Sequence, residues 1–450
     1  MSKILIKGAT IINEGRSFTG SVAIENDKIS KITEGVIDLS RTEDFDEIIN
    51  AAGKYLIPGV IDDHVHFREP GLTDKADIAN ESRAAAAGGV TSFMDMPNCI
   101  PQTVTIEALE DKFERGAKES RVNYSFYFGA TNDNCKLFHL LDKKRVCGIK
   151  LFMGSSTGNM LVDEKESLER IFGETDMLIA AHCEDAARIN ENIKKYKAQY
   201  GDDPYIIYHP MIRDAEACYA SSSRAIELAE KNGARLHILH ISTAKELSLF
   251  HNDKPLKEKK ITAEAVISHL LFYDDLYKSL GPLIKCNPSV KTLDDREAIR
   301  QAVIDNVIDV IGTDHAPHLL SDKTGGALGA ASGMPMIQFS LPIMLELSQN
   351  EVITKEQVIE KMCHAPADLY RVEKRGYIRP GYQADLVLVD PNQSFKIESD
   401  IIQSKCAWSP LEGMTMHTKV IRTLVNGHTV YQDGSIIDDK YRGMPLQFNN

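Results

Sequence analysis

The chain reads as an α/β protein: a (β/α)8 TIM-like barrel with a small β-sandwich domain formed by both chain termini. Three observations carry that expectation. Apolar strand-like runs alternate with helical patterns through the middle of the chain. Eight such runs are present: GVIDDHVH, VTSFMDM, VNYSFYFGA, VCGIKLFM, MLIAAH, RLHILHI, KITAEAVI and VIDVIGTD. Both ends have a different texture, of short strands and tight turns. Eight strands separated by helices point to a closed parallel barrel, and the two ends to one composite β-unit.

In chain order, KILIKGATII, SVAIENDKISKI and EIINAAG read as the short strands of the N-terminal part. DIANESRAAAAGG and REAIRQAVIDN carry the helical patterns between barrel strands. RPGYQADLVLVD and KVIRTLVNGHTVYQDG return to strands, with the NG of VNGHT marking a hairpin. The expected division is residues 1–55 and 380–450 for the β-domain and 56–379 for the barrel. No repeat or low-complexity segment interrupts this pattern.

At 450 residues, 43% hydrophobic and 26% charged, the composition is that of an ordinary globular protein. The 52 basic against 65 acidic residues give a net charge of −13, which disfavours nucleic acid and anionic membranes as partners. An anionic small substrate would need a local positive site. MSKILIKGATII shows no signal-peptide pattern, and no apolar run is long enough to span a bilayer. The eight cysteines have no CxxC spacing and read as buried free thiols of a reducing, cytoplasmic compartment.

The chemistry is expected at the C-terminal strand ends, where such barrels collect it. In IDDHVHFREPG, alternation along a strand puts His64, His66 and Arg68 on one face. Two imidazoles there suggest a metal and the fixed cation an anionic ligand; a pair of solvated histidines is the alternative. Asp95 and Asn98 follow the second run, Lys150 lies in the fourth, His182 ends the fifth and His240 the sixth. Asp314 ends the eighth, with His318 just beyond. His237, three positions before His240, is expected to face the other way, between strand and helix. His315 and His269 are read as structural. His209, His251, His364, His417 and His428 are assigned no role. Asp62, Asp63 and Asp95 either orient a ligand or cap a strand.

Four histidines and Asp314 suit zinc, and less specifically manganese or cobalt. Five ligands are awkward for one tetrahedral ion and few for two. Lys150 could close the gap as a CO2-derived carbamate bridging two metals; on spacing alone, an inward lysine paired with a carboxylate is the favoured reading. Water held between two cations is a strong nucleophile at neutral pH, and Asp314 could carry its proton to a leaving nitrogen. That chemistry is hydrolysis of an amide or related bond.

HVHFREPG, SRAAAAGG, DMPN, GIKLFM, AAHCED, ILHIST, NPSV with DDREA, and GTDHAPH together resemble the cyclic amidohydrolases, in particular the dihydroorotases. The likeness runs from about residue 50 to 390, and GYIRPGYQADLVLVDP resembles that superfamily's β-domain. The resemblance implies two divalent metal ions, most often Zn2+: His64, His66 and Asp314 on one, His182 and His240 on the other, carboxylated Lys150 between them. It implies Arg68, Asn98 and His318 as a clamp for a substrate carboxylate, Asn287 against the ring, and backbone groups around Gly333 along the ring's other edge. The implied reaction is reversible hydrolysis of L-dihydroorotate to N-carbamoyl-L-aspartate, in pyrimidine synthesis, by a homodimer. Two features depart from the pattern. NPSVK stands where NPPLR is common, so Lys291 would have to replace an arginine; and the KLFM context of Lys150 is more like hydantoinases and allantoinases. An allantoinase or dihydropyrimidinase is the first rival reading, and a non-catalytic scaffold relative the second. The Gly-rich TGGALGAASG is a candidate for a loop that closes over the site.

Overall fold

A computed structural model describes residues 2–35, 44–154 and 160–449. Each of the eight expected runs forms a strand: Val60–Val65, Val90–Asp95, Asn123–Phe126 continued by Phe128–Gly129, Ile149–Met153, Leu178–Cys183, Arg235–Ile238, Ile261–Val266 and Val310–Gly312. Neighbours pair in parallel from each strand to the next. The strands are buried almost throughout, which explains why they read as continuous apolar runs and not as alternating ones. The third strand is split at Tyr127. Its N–H still donates to Asp95 O (3.1 Å) of the second strand, whereas Phe128 N donates to Gly148 O (3.1 Å) beside the fourth. The Tyr127 hydroxyl donates to Asp63 O (2.9 Å) and meets the Tyr370 hydroxyl (2.6 Å) beneath the site. The ring closes where Val65 bridges His315 and His66 N donates to His315 O at 2.8 Å.

Helices begin where the sequence supplies caps. Asp77 accepts from Asn80 N (2.8 Å) to start Ile78–Ala87. Thr292 and Asp295 form a reciprocal capping box that starts Leu293–Ile304. The terminal segments form one nine-stranded mixed sheet. In spatial order it runs Ser435–Ile436, His428–Gln432, Lys419–Val425, Leu386–Asp390, Tyr55–Pro58, Lys3–Asn13, Arg16–Glu25 and Lys28–Glu34, with Glu47–Asn50 also pairing with Lys3–Asn13. Ile6, Ile11, Val22, Leu56, Leu386 and Leu424 fill its own apolar core. All eight cysteines are buried free thiols. Among the described residues, no helix is long and apolar enough to cross a membrane.

Candidate metal centre and active site

The eleven side chains and loop positions singled out from the sequence meet at one place. His64, His66, Arg68, Asn98, Lys150, His182, His240, Asn287, Asp314, His318 and Gly333 all line a cavity of about 360 Å³ at the C-terminal mouth of the barrel. That volume suits a small metabolite.

His64 ends the first strand and His66 lies just past it; their Nε2 atoms stand 3.3 and 3.1 Å from Asp314 Oδ1. One ligand atom from each of these three residues lies within 4.8 Å of the others. His182, from the fifth strand, and His240, just past the sixth, meet with Nδ1 and Nε2 at 2.9 Å, and the His240 ring centroid is 5.3 Å from that of His64. Lys150 projects from the fourth strand between the two groups. It is 1% exposed, and its ammonium has no hydrogen-bond or carboxylate partner among the described residues. The carboxylate-paired lysine is therefore not what the described residues form. Burial brings its ammonium down to about 8, which favours the reactive free amine.

The far nitrogens of three histidines are engaged, which leaves their inner nitrogens directed at the cavity. His64 Nδ1 is 3.0 Å from Glu264 Oε2, His66 Nδ1 is 2.7 Å from Asn98 Oδ1, and His182 Nε2 is 2.9 Å from Glu184 Oε2. With each far nitrogen protonated and donating, the inner lone pair is available to a cation. Burial lowers the pKa of His64, His66 and His240, so these rings are neutral. Burial alone would raise Asp314, but His64 and His66 hold it well below the usual carboxylate range. Neutral imidazoles around an ionised carboxylate fit divalent, zinc-type cations. Arg68, His240 and Asp314 have φ of +66°, +41° and +46°, a left-handed conformation that non-glycine residues rarely adopt and that concentrates at functional sites.

On the substrate side, Arg68 is buried, with Nε donating to Pro317 O (3.1 Å) and Nη2 3.1 Å from His318 Nε2. Lys75 Nζ lies 3.2 Å from His318 Nδ1, and His318 Nε2 lies 3.0 Å from Ser332 O. Burial, with Arg68 and Lys75 nearby, pushes His318 down to about 2, so it is neutral. Asn287 Oδ1 is buried without a hydrogen-bond partner among the described residues. Gly333, at φ +133°, is required: a Cβ there would sit 2.5 Å from Ala316 O.

Sequence reasoning missed three contributors. Glu264 was legible only as a lone carboxylate inside the apolar run ITAEAV, and Glu184 only as the acid two residues after His182. Lys75 carried no signal. One orientation is corrected. His237 does not pack between strand and helix: it faces the barrel interior, with Nδ1 2.8 Å from Thr262 Oγ1 and Nε2 3.4 Å from Asp63 Oδ2. Strand parity fails there because the strand ends at Ile238 and His240 lies in the left-handed region. Asp62 accepts from His64 N (3.2 Å) and the Thr313 hydroxyl (2.6 Å), tying the first strand to the eighth. Asp95 accepts from Phe67 N (2.8 Å) and pairs with Lys112. His315 is structural, between Glu81 Oε2 (2.8 Å) and the N–H groups of Met336 and Ile337. His269 is likewise structural, 3.0 Å from Pro288 O. Lys291 donates to Ser289 O at 3.0 Å and does not line the cavity.

A closed (β/α)8 barrel with a composite terminal β-sheet and a His–His–Asp cluster at its mouth is the architecture of metal-dependent hydrolases acting on cyclic amides. The chain belongs to the amidohydrolase family, which it matches over residues 55–430. It is 35% identical to a dihydroorotase of Halobacterium salinarum over 85% of this chain and 87% of that one. It is 30% identical to a dihydroorotase of Methanosphaera stadtmanae over 98% of this chain and all of that one. Among solved structures it resembles the L-hydantoinase (dihydropyrimidinase) of Arthrobacter aurescens, with TM-score 0.92 and 25% identity over 99% of this chain and 100% of that one. The dihydropyrimidinase of Brevibacillus agri shares the fold, with TM-score 0.86 and 24% identity over 98% of each chain.

Proposed function

We propose that this protein is a dihydroorotase, interconverting L-dihydroorotate and N-carbamoyl-L-aspartate in pyrimidine synthesis. The observation that carries the substrate class is Arg68, a buried guanidinium on the cavity wall with no carboxylate at ion-pair distance among the described residues. A buried cation left without a counter-charge is costly, and an incoming carboxylate would relieve that cost bidentately. The names of the curated relatives agree with this reading.

His64, His66 and Asp314 would hold one divalent ion, most often zinc in such donor sets, and His182 and His240 a second, with Lys150 carboxylated between them. When bound, such a pair supplies an activated water and polarises the scissile carbonyl. The chain's own residues do the rest. Asp314, kept ionised, accepts the proton of the attacking water and delivers it to the ring nitrogen as the amide bond breaks. Arg68 and His318 fix the substrate carboxylate, which sets the amide carbonyl over the histidine cluster. Glu264, Glu184 and Asn98 hold three histidines in one tautomer.

The likeness to the Arthrobacter aurescens structure favours a second reading, a hydantoinase or dihydropyrimidinase acting on uncharged rings. A spectrophotometric assay of metal-replete protein with dihydroorotate, allantoin and dihydrouracil decides between them. The proposal expects dihydroorotate to be turned over with the highest kcat/KM. A preference for either uncharged ring would overturn it.

A further inference from the structure

The Gly-rich stretch TGGALGAASG, residues 324–333, reads from sequence as a candidate for a loop that closes over the site. The structure instead clamps it from two sides, by charges sorted to match the backbone. On the outer half, the Asp203 carboxylate accepts from Gly326 N (2.7 Å), Leu328 N (2.9 Å) and Gly329 N (3.0 Å). On the inner half, lysines take the carbonyls. Lys285 Nζ donates to Ala330 O. Lys323 Nζ donates to Gly333 O (2.7 Å), Ala331 O (2.8 Å) and Lys285 O (3.0 Å). Lys285 O also accepts from Gly333 N at 2.8 Å, so Lys323 sits at the node of the inner clamp.

Lys323 is 4% exposed and has no carboxylate partner among the described residues. All three of its side-chain hydrogen bonds run to backbone carbonyls, two of them from residues that line the cavity. An ammonium can make three such bonds at once; a neutral side chain of similar length cannot. The Ala331–Ser332 peptide is trans, so drawing the Ala331 carbonyl onto Lys323 turns the Ser332 N–H to the opposite edge. That N–H has no protein acceptor among the described residues, and Ser332 lines the cavity. On the same residue, Ser332 O meets His318 Nε2 at 3.0 Å.

We infer that Lys323 is a positioning residue: by gathering the carbonyls of Ala331, Gly333 and Lys285, it presents the Ser332 N–H to the ring edge of the substrate. The inference rests on the substrate reading above. It assigns Lys323 a part in substrate binding and none in bond breaking, and it makes the loop a fixed wall of the site.

The test uses Lys323→Met, which keeps length and removes every donor, and Lys323→Gln, which keeps two, in metal-replete protein. Three quantities are read: kcat and KM for dihydroorotate, the inhibition constant of L-aspartate, which has carboxylates and no ring, and hydrogen exchange across residues 326–334. Lys323→Met is expected to raise KM about tenfold, the worth of one misplaced hydrogen bond, with kcat within about threefold of wild type. Lys323→Gln should fall between the two, L-aspartate should bind as before, and exchange at Gly333 should quicken. An unchanged KM, a fall in kcat alone, a parallel weakening of L-aspartate, or unchanged loop exchange would overturn the inference. If Lys323→Met does not fold, Lys323→Gln decides on the same criteria. If wild-type protein fails to turn over dihydroorotate, the substrate reading falls, and hydrogen exchange in the variants still tests whether Lys323 sets the loop.

Discussion

Glu264 Oε2 stands 3.0 Å from His64 Nδ1 and 2.7 Å from the backbone N–H of His240. One fully buried carboxylate thus orients a histidine from each half of the proposed metal centre. Its removal should be felt by both halves together. Glu264→Gln is expected to weaken metal binding about 10- to 100-fold, as loss of an outer partner of a ligating histidine does. Competition against a chelator of known affinity measures it. Unchanged affinity would show that the contact is incidental.

Lys150 should take up CO2 with a pH dependence set by its free amine. With a pKa of about 8, the reactive fraction rises about tenfold per pH unit below that value and levels off above it. Carbon-13 NMR of metal-free protein at fixed dissolved 13CO2 should show a carbamate resonance that grows from pH 6 to 8 and then flattens. A signal independent of pH, or none in the wild type, would contradict the bridge.

Replacing the same side chain tests its role. Lys150→Ala is expected to lose both metal and activity, and small carboxylic acids should restore part of each by supplying the missing oxygens. Metal analysis and turnover with and without added acetate read this out. A fully active Lys150→Ala would remove the carbamate from the mechanism.

Arg68→Met should discriminate between substrates. Leaving one member of a buried charged pair without its partner costs about 2–5 kcal/mol, so kcat/KM for dihydroorotate should fall by a factor of about 30 to several thousand. Any turnover of dihydrouracil, which has no carboxylate, should not change. Equal losses on both rings would mean that Arg68 supports the fold and not the substrate.

What could be read from the sequence was what local rules govern. Eight apolar runs became eight strands because both faces of a parallel barrel are covered, and the metal-ligand-type residues His64, His66, Lys150, His182, His240 and Asp314 at or near their ends reached one mouth. What escaped was set by long-range packing. Nothing local links Glu264 to His64, 200 positions away, or Lys75 to His318, 243 positions away. His237 was misplaced because strand parity was carried beyond Ile238, where the backbone departs from the strand. The 324–333 stretch reads as mobile because glycines suggest freedom; the clamps that hold it, Asp203, Lys285 and Lys323, lie outside its own glycine-rich run.

His64, His66, Lys150, His182, His240 and Asp314 are proposed to close around a pair of cations. Anomalous diffraction from crystals of the zinc-reconstituted protein, collected at the zinc edge, tests this most directly. Two peaks per chain are expected, one beside His64 and His66 and one beside His182 and His240, with carboxylated Lys150 touching both. A single peak, no peak, or an unmodified Lys150 turned away from the metals would contradict this arrangement.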